Sequence, residues 1–136
     1  MNQNELGRKS EEFVAKYLEN FRYWSLIVQA SVDGQPFDLI SRRKNDVWFL
    51  DAKHLEKNKK SFPFSRIEAN QITSMQYARI VAEIDKGMGF AIVWENDLKN
   101  IYYLSYDMYL KMVFEGKKSV KIETLPKLGD LIICEQ

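Results

Sequence analysis

The sequence predicts an α/β fold, a single domain over residues 1–136 in which a mixed β-sheet is flanked by helices. Three observations carry this reading. An N-terminal stretch repeats apolar residues at helical spacing. Three runs rich in β-branched and aromatic residues follow it, divided by polar turn signals. A second helix-start signal then precedes another apolar run. The order helix, three strands, helix, two strands, helix describes a meander, a crossover and a further strand, which indicates mixed pairing with helices on the sheet faces.

Each element has its own justification. Leu6, Phe13, Val14, Tyr17, Leu18 and Phe21 mark an amphipathic helix from Glu5 to about Phe21. Tyr23 to Val32 reads as a strand that ends at the turn signal Asp33-Gly34. Pro36 to Arg43 is a second strand, with proline at its start, where a missing N–H matters least. Val47 to His54 is a third, across the turn Lys44-Asn45-Asp46, and Glu56 to Pro63 reads as a charged loop. Ser65-Arg66-Ile67-Glu68 has the capping-box pattern and opens a helix to about Lys86, stopped by Gly87. Gly89 to Trp94 and Ile101 to Leu104 form a hairpin, and Ser105 or Asp107 caps a helix to about Phe114. Short edge strands are expected between Val120 and Cys134.

Composition narrows the function classes. A hydrophobic fraction of 46% and a charged fraction of 29% suit a soluble globular protein. No apolar stretch approaches the roughly 18 residues of a membrane span, and Met1 to Glu5 carries no signal-peptide pattern. The lone cysteine, Cys134, favours a reducing compartment and a cytoplasmic location. A net charge of +1 does not by itself announce a nucleic-acid protein. The charge is nevertheless knotted, at Arg42-Arg43-Lys44, at Lys57, Lys59, Lys60 and Arg66, and at Lys117, Lys118 and Lys121. Any one such knot, taken alone, is most simply a solvated loop.

The chemistry-bearing cluster is Asp38 with Asp51-Ala52-Lys53. Residues two apart on a strand share a face, so Asp51 and Lys53 point the same way, with Val47 and Phe49. Asp38 interrupts Phe37, Leu39 and Ile40, and acids are rarely placed in such company for structural reasons. A tight turn between the strands brings the two carboxylates together. Two carboxylates suit Mg²⁺, a hard cation usually held by one or two acids plus waters and phosphates, with Mn²⁺ as a substitute. Such an ion can acidify water and neutralise phosphodiester charge, and a neighbouring ammonium can steady a charge-rich transition state. A plain salt bridge from Lys53 to Asp51 or Asp38 explains the spacing equally well.

An aspartate followed by Asp-x-Lys on the next strand resembles the PD-(D/E)XK nuclease superfamily. Here proline stands one place early, at Pro36, and Asp51 replaces the commoner glutamate. The following segment, Ser61-Phe62-Pro63-Phe64, Ile67, Asn70-Gln71-Ile72 and Met75, closely resembles RecU-type Holliday junction resolvases. So do Leu50-Asp51-Ala52-Lys53, Gly89-Phe90-Ala91-Ile92-Val93 and Ile101-Tyr102-Tyr103-Leu104, and the likeness covers about residues 30–110. The resemblance implies a restriction-endonuclease-like αβββαβ core, a metal-dependent endonuclease acting on branched DNA, and a homodimer. It implies that Asp38 and Asp51 hold the metal, that Lys53 acts on the attacking water or the scissile phosphate, and that Gln71 positions water or metal ligands. Gly7 to Glu11 resembles the Gly-x-x-x-Glu of archaeal resolvases, which would add Glu11 to the site, with Glu12 as its competitor and a simple helix-dipole role as the alternative. RecU-type proteins carry a longer stretch with a projecting stalk where this chain has only Asn20 to Gln35.

Given that resemblance, Lys57, Lys59, Lys60 and Arg66, in the loop leaving the Asp51 strand, are expected to contact DNA phosphates. Ser65, at an expected helix N-terminus, is expected to do the same. His54 faces the other side of the strand and reads as a surface or packing residue, and Trp24, Trp48 and Trp94 read as core. Two other readings stand beside the nuclease: a non-catalytic DNA-binding protein on the same fold, and a repair- or restriction-type nuclease with a different DNA substrate.

Overall fold

The computed structural model describes residues 3–28, 37–84 and 87–134. The elements run α1 (Gln3–Glu19), β1 (Trp24–Ile27), β2 (Leu39–Arg43), β3 (Asp46–Leu55), β4 (Ser61–Pro63), α2 (Ala69–Val81), β5 (Met88–Trp94), β6 (Tyr102–Ser105), α3 (Tyr106–Phe114), β7 (Ser119–Lys121) and α4 (Leu128–Cys134). Five strands form one sheet in the order β1-β2-β3-β5-β6. The β3–β5 pair is parallel and the other pairs are antiparallel, so the expected meander, crossover and mixed sheet are present.

The two faces of the sheet are packed by different layers. Strand alternation sends Trp48, Leu50 and Ala52 toward α1, where they meet Val14, Leu18 and, from α4, Leu128 and Ile132. It sends Phe49 and Leu55 to the opposite face, where Phe62, Met75, Phe90, Ile92 and Leu104 close a second core. Val14 and Leu18 have no exposed surface, and each such side chain contributes about 1.5–3 kcal/mol. β5 is buried along its whole length, as its unbroken apolar run requires of a parallel strand covered on both faces. Arg79 ties α2 to α3 through a two-point ion pair with Asp107, at 2.6 and 3.2 Å.

Several expectations are corrected. The helix expected from Ser65 starts at Ala69. Its N-cap is Glu68, and residues Phe64–Arg66 form a short 3-10 turn instead. Ile67, 8% exposed, must turn inward and takes an extended conformation, which forbids a continuous helix from Ser65. The helix ends at Val81; Glu83 follows it at positive φ, and Lys86 lies outside the described residues. Gly87 does need its own conformation, because its φ is +71° and a Cβ there would stand 2.4 Å from the Val47 carbonyl oxygen. Trp48 and Trp94 are core residues, but Trp24 is 64% exposed: β1 is an edge strand, and this side chain points away from α1. The loop expected up to Pro63 ends in β4, which pairs with β7, while the last part of the tail is the helix α4. The turn Asp33-Gly34 and Pro36 lie outside the described residues.

Candidate active site

β3 is the scaffold of the site. Asp51, 1% exposed, is held at its centre between β2 and β5, and Lys53 follows on the same face. Asp38 lies just before β2, with its amide donating to the Leu50 carbonyl at 3.0 Å. Its Oδ2 accepts from the amide of Ala52, also at 3.0 Å. The Asp38 carboxylate is therefore seated on the residue that separates Asp51 from Lys53. Convergence of the two acids was expected from the tight β2–β3 turn, and this backbone bond is how it is achieved.

The charges are arranged under tension. Burial, and then the Asp38 charge, push the Asp51 carboxyl well above its ordinary range, against the opposing pull of Lys53. Burial pushes the Lys53 ammonium down, although Asp51, Asp38 and Glu68 all act to raise it. Asp51 Oδ2 is buried and has no hydrogen-bond partner among the described residues. A carboxylate oxygen in that position is costly unless a cation or a proton satisfies it.

α1 delivers a third acid. Glu11 is hydrogen-bonded to the Asp38 side chain, and burial followed by the Asp38 charge raises its pKa to about 7. Glu12, one residue on, is exposed, so the helix turns Glu11 and not Glu12 toward the acids.

α2 delivers Gln71. Its Oε1 accepts from Lys53 Nζ at 2.9 Å and from the Glu68 amide at 3.1 Å. Gln71 is the third residue of α2 and completes a capping box whose other half is the Glu68 side chain. One amide oxygen thus starts the helix and aims the lysine. Lys53 makes a second bond, to the Arg66 carbonyl, at 3.3 Å. Sequence reading did not find this main-chain acceptor, which carries no side-chain signal.

The expected DNA-contacting residues divide. Lys57, Lys59 and Lys60 are exposed in the loop after β3. Arg66 is instead engaged internally, by the His54 carbonyl and by Glu56 at 3.5 Å, with its guanidinium over the Phe62 ring. Ser65 is exposed but lies in the 3-10 turn, and α2 begins four residues further on, with Glu68 and not Ser65 as its N-cap. The reason for assigning a phosphate to Ser65 is therefore gone. His54 is buried and meets Glu95 at 3.1 Å, on the face away from the acids, as a packing role requires. Glu95 and Asn96, unremarked in the sequence, grip the lysine loop: Glu95 accepts from the Lys57 amide, and Asn96 Oδ1 from the Asn58 amide at 3.0 Å.

A divalent metal fits this chemistry on the buried, unpartnered Asp51 oxygen and on the hard oxygen donors beside it. Among the described residues no group of three or more His, Cys, Asp or Glu side chains is arranged as a ready-made metal cage. Mg²⁺ does not require one, since it is usually held by one or two carboxylates together with waters and phosphate.

The family model described as Recombination protein U matches residues 30–135. The chain belongs to the RecU family. Asp38, Asp51, Lys53 and Gln71 lie inside the matched segment, and Glu11 lies before it. Among solved structures, the chain is similar to Hjc, a Holliday junction resolvase of the archaeal hyperthermophile Archaeoglobus fulgidus. That likeness has a TM-score of 0.63 at 11% identity and covers 93% of this chain and 94% of the other. At that identity it speaks for the fold, which is restriction-endonuclease-like. No curated protein matches the sequence. No helix among the described residues is long and apolar enough to cross a membrane.

Proposed function

We propose that this RecU-family chain is a Mg²⁺-dependent endonuclease that cuts branched DNA, most specifically the four-way junction on which its structural relative Hjc is named to act. The observation that carries the reading is the buried Asp51 oxygen without a partner, set between a second acid and an ammonium. A structural salt bridge would satisfy that oxygen. A non-catalytic DNA-binding protein would gain nothing from burying an unsatisfied acid beside Asp38 and Glu11.

Asp38 and Asp51 would hold the ion, with Glu11 beside Asp38 as a third acid. When bound, Mg²⁺ (or Mn²⁺) supplies acidification of a water and neutralisation of phosphodiester charge. The chain's own residues do the rest. An ammonium has three donors; two of those of Lys53 go to Gln71 and to the Arg66 carbonyl. The third is left for a phosphate oxygen or the attacking water, and burial strengthens that interaction. Gln71 fixes its direction, and the main-chain amide of Ala52, between the acid and the lysine, makes the bond that seats Asp38. Lys57, Lys59 and Lys60 would hold the substrate backbone without reading bases.

A junction must be cut on two strands, which supports a homodimer. Tyr77, Ile80 and Val81, at 67%, 67% and 58% exposure on α2, are apolar surface that pairing would cover. The single cysteine and the DNA substrate are consistent with the cytoplasm. The test is cleavage of a four-way junction, a matched duplex and a single strand, each with and without Mg²⁺. Cleavage of the duplex as fast as the junction would favour the repair-type nuclease instead.

A further inference from the structure

The third basic knot, Lys117, Lys118 and Lys121, is not a free-standing solvated loop. β7 folds back onto β4, with Lys121 opposite Ser61, Val120 opposite Phe62 and Ser119 opposite Pro63. The Ile122 amide donates to the Lys60 carbonyl, and the Phe64 amide to the Lys118 carbonyl, each at 2.9 Å. Two knots more than fifty residues apart in sequence thus become one ribbon, carrying Lys57, Lys59, Lys60, Lys117, Lys118 and Lys121. All six are exposed, and none takes part in the ion pairs found among the described residues. Glu56, Glu95, Glu115 and Glu123 lie beside the ribbon, and its six lysines still outnumber them on a chain whose net charge is only +1.

The ribbon is also rigid. Phe62 and Val120, 0% and 4% exposed, pin its inner face to the core. The lysine loop is clamped by Glu95 and Asn96, and by the Trp94 indole, which donates to the Lys59 carbonyl at 2.8 Å. A backbone fixed in this way loses little freedom on binding, and only the lysine side chains remain to be ordered. β4 then leads directly toward the site: the Arg66 carbonyl touches Lys53, and Arg66 is six residue steps from Lys60. Even fully extended, that path spans about 20 Å, the rise of roughly six base pairs of duplex.

Building on the nuclease reading, the geometry points to the β4–β7 ribbon as a phosphate-binding ridge. It grips the backbone of one duplex arm, without sequence preference, beside the strand to be cut. Lys117, Lys118 and Lys121 are then DNA-binding residues on the same footing as Lys57, Lys59 and Lys60.

The test compares the intact chain with Lys117→Gln/Lys118→Gln/Lys121→Gln. A control, Lys16→Gln/Arg22→Gln/Lys44→Gln, removes three charges outside the ribbon. Dissociation constants for a labelled junction are measured in EDTA across about 50–200 mM salt, where each lost phosphate contact lowers the log–log slope by about 0.9. The ridge predicts a slope lower by roughly 2–3 for the ribbon triple, a raised KM, and an unchanged kcat at saturating DNA with Mg²⁺. The control keeps its slope, and thermal melts confirm that both variants fold. An unchanged slope in the ribbon triple, or an equal loss in the control, overturns the ridge while leaving the nuclease reading intact. Failure of the intact chain to bind or cut DNA overturns both.

Discussion

Replacing Gln71 by leucine tests the link between the start of α2 and the aim of Lys53. The substitution keeps the side-chain bulk and removes the oxygen that receives both the Lys53 ammonium, at 2.9 Å, and the Glu68 amide, at 3.1 Å. A hydrogen bond to a charged group is worth about 1.5–3 kcal/mol, and a capping interaction about 1 kcal/mol. Gln71 is half-buried, so solvent replaces part of each, and the expected loss of stability is about 1.5–3 kcal/mol. Urea unfolding in EDTA measures it. If the same charged bond holds Lys53 on the reacting phosphate, its loss lowers the single-turnover rate by about 10- to 100-fold, with little change in KM. Gln71→Glu separates the two duties. It restores the cap, since glutamate also completes a capping box, but it pairs with Lys53, so stability returns while the rate stays low. A Gln71→Leu protein with both stability and rate unchanged would refute the shared-oxygen argument.

Other predictions follow from the same geometry. Asp51→Asn removes a buried charge that the metal-free fold resists, so in EDTA the variant melts above the unsubstituted chain; a lower melting temperature would contradict the electrostatic reading of the site. Glu11 has its folded pKa raised from 4.5 to about 7, so the folded state binds the extra proton. Metal-free stability from this group therefore rises as pH falls from about 7 toward 4.5, and Glu11→Gln removes that part of the dependence, read as the difference between the two melting curves over that range. Glu95→Ala deletes a negative charge near the proposed DNA path, which plain electrostatics says should tighten binding. Loss of the clamp on the Lys57 amide predicts weaker binding instead, with Glu95→Gln, which keeps the acceptor, near the original affinity in the same assay.

Much of the fold was legible because its elements bury one face at a time. The apolar repeat of α1 and the period-two pattern of β3 each point to a single packing surface, and both elements stand where expected. Asp38, Asp51 and Lys53 were legible for the same reason, since alternation and a short turn are local. The β4–β7 ribbon was not, because strands of three residues carry no periodicity and their pairing joins positions 61–63 to 119–121. The start of α2 was displaced because two overlapping signals, Ser65-x-x-Glu68 and Glu68-x-x-Gln71, compete, and burial of Ile67 decides between them. Trp24 was misplaced because alternation tells which residues share a face, not whether anything covers that face at the sheet edge. The Lys53–Gln71 bond spans 18 positions between two elements, and only the resemblance to RecU-type proteins pointed to Gln71 beforehand.

The central claim is that Asp51 is the buried acid of a metal-dependent nuclease centre. Its most direct measurement is cleavage of a labelled four-way junction by the intact chain and by Asp51→Asn, each titrated with Mg²⁺ from an EDTA-treated start. The account predicts Mg²⁺-dependent cutting by the intact chain and a loss of about a thousandfold or more in the variant, the several kcal/mol that a metal supplies, with junction binding retained. Cleavage that persists in EDTA, or in Asp51→Asn at the full rate, would contradict it.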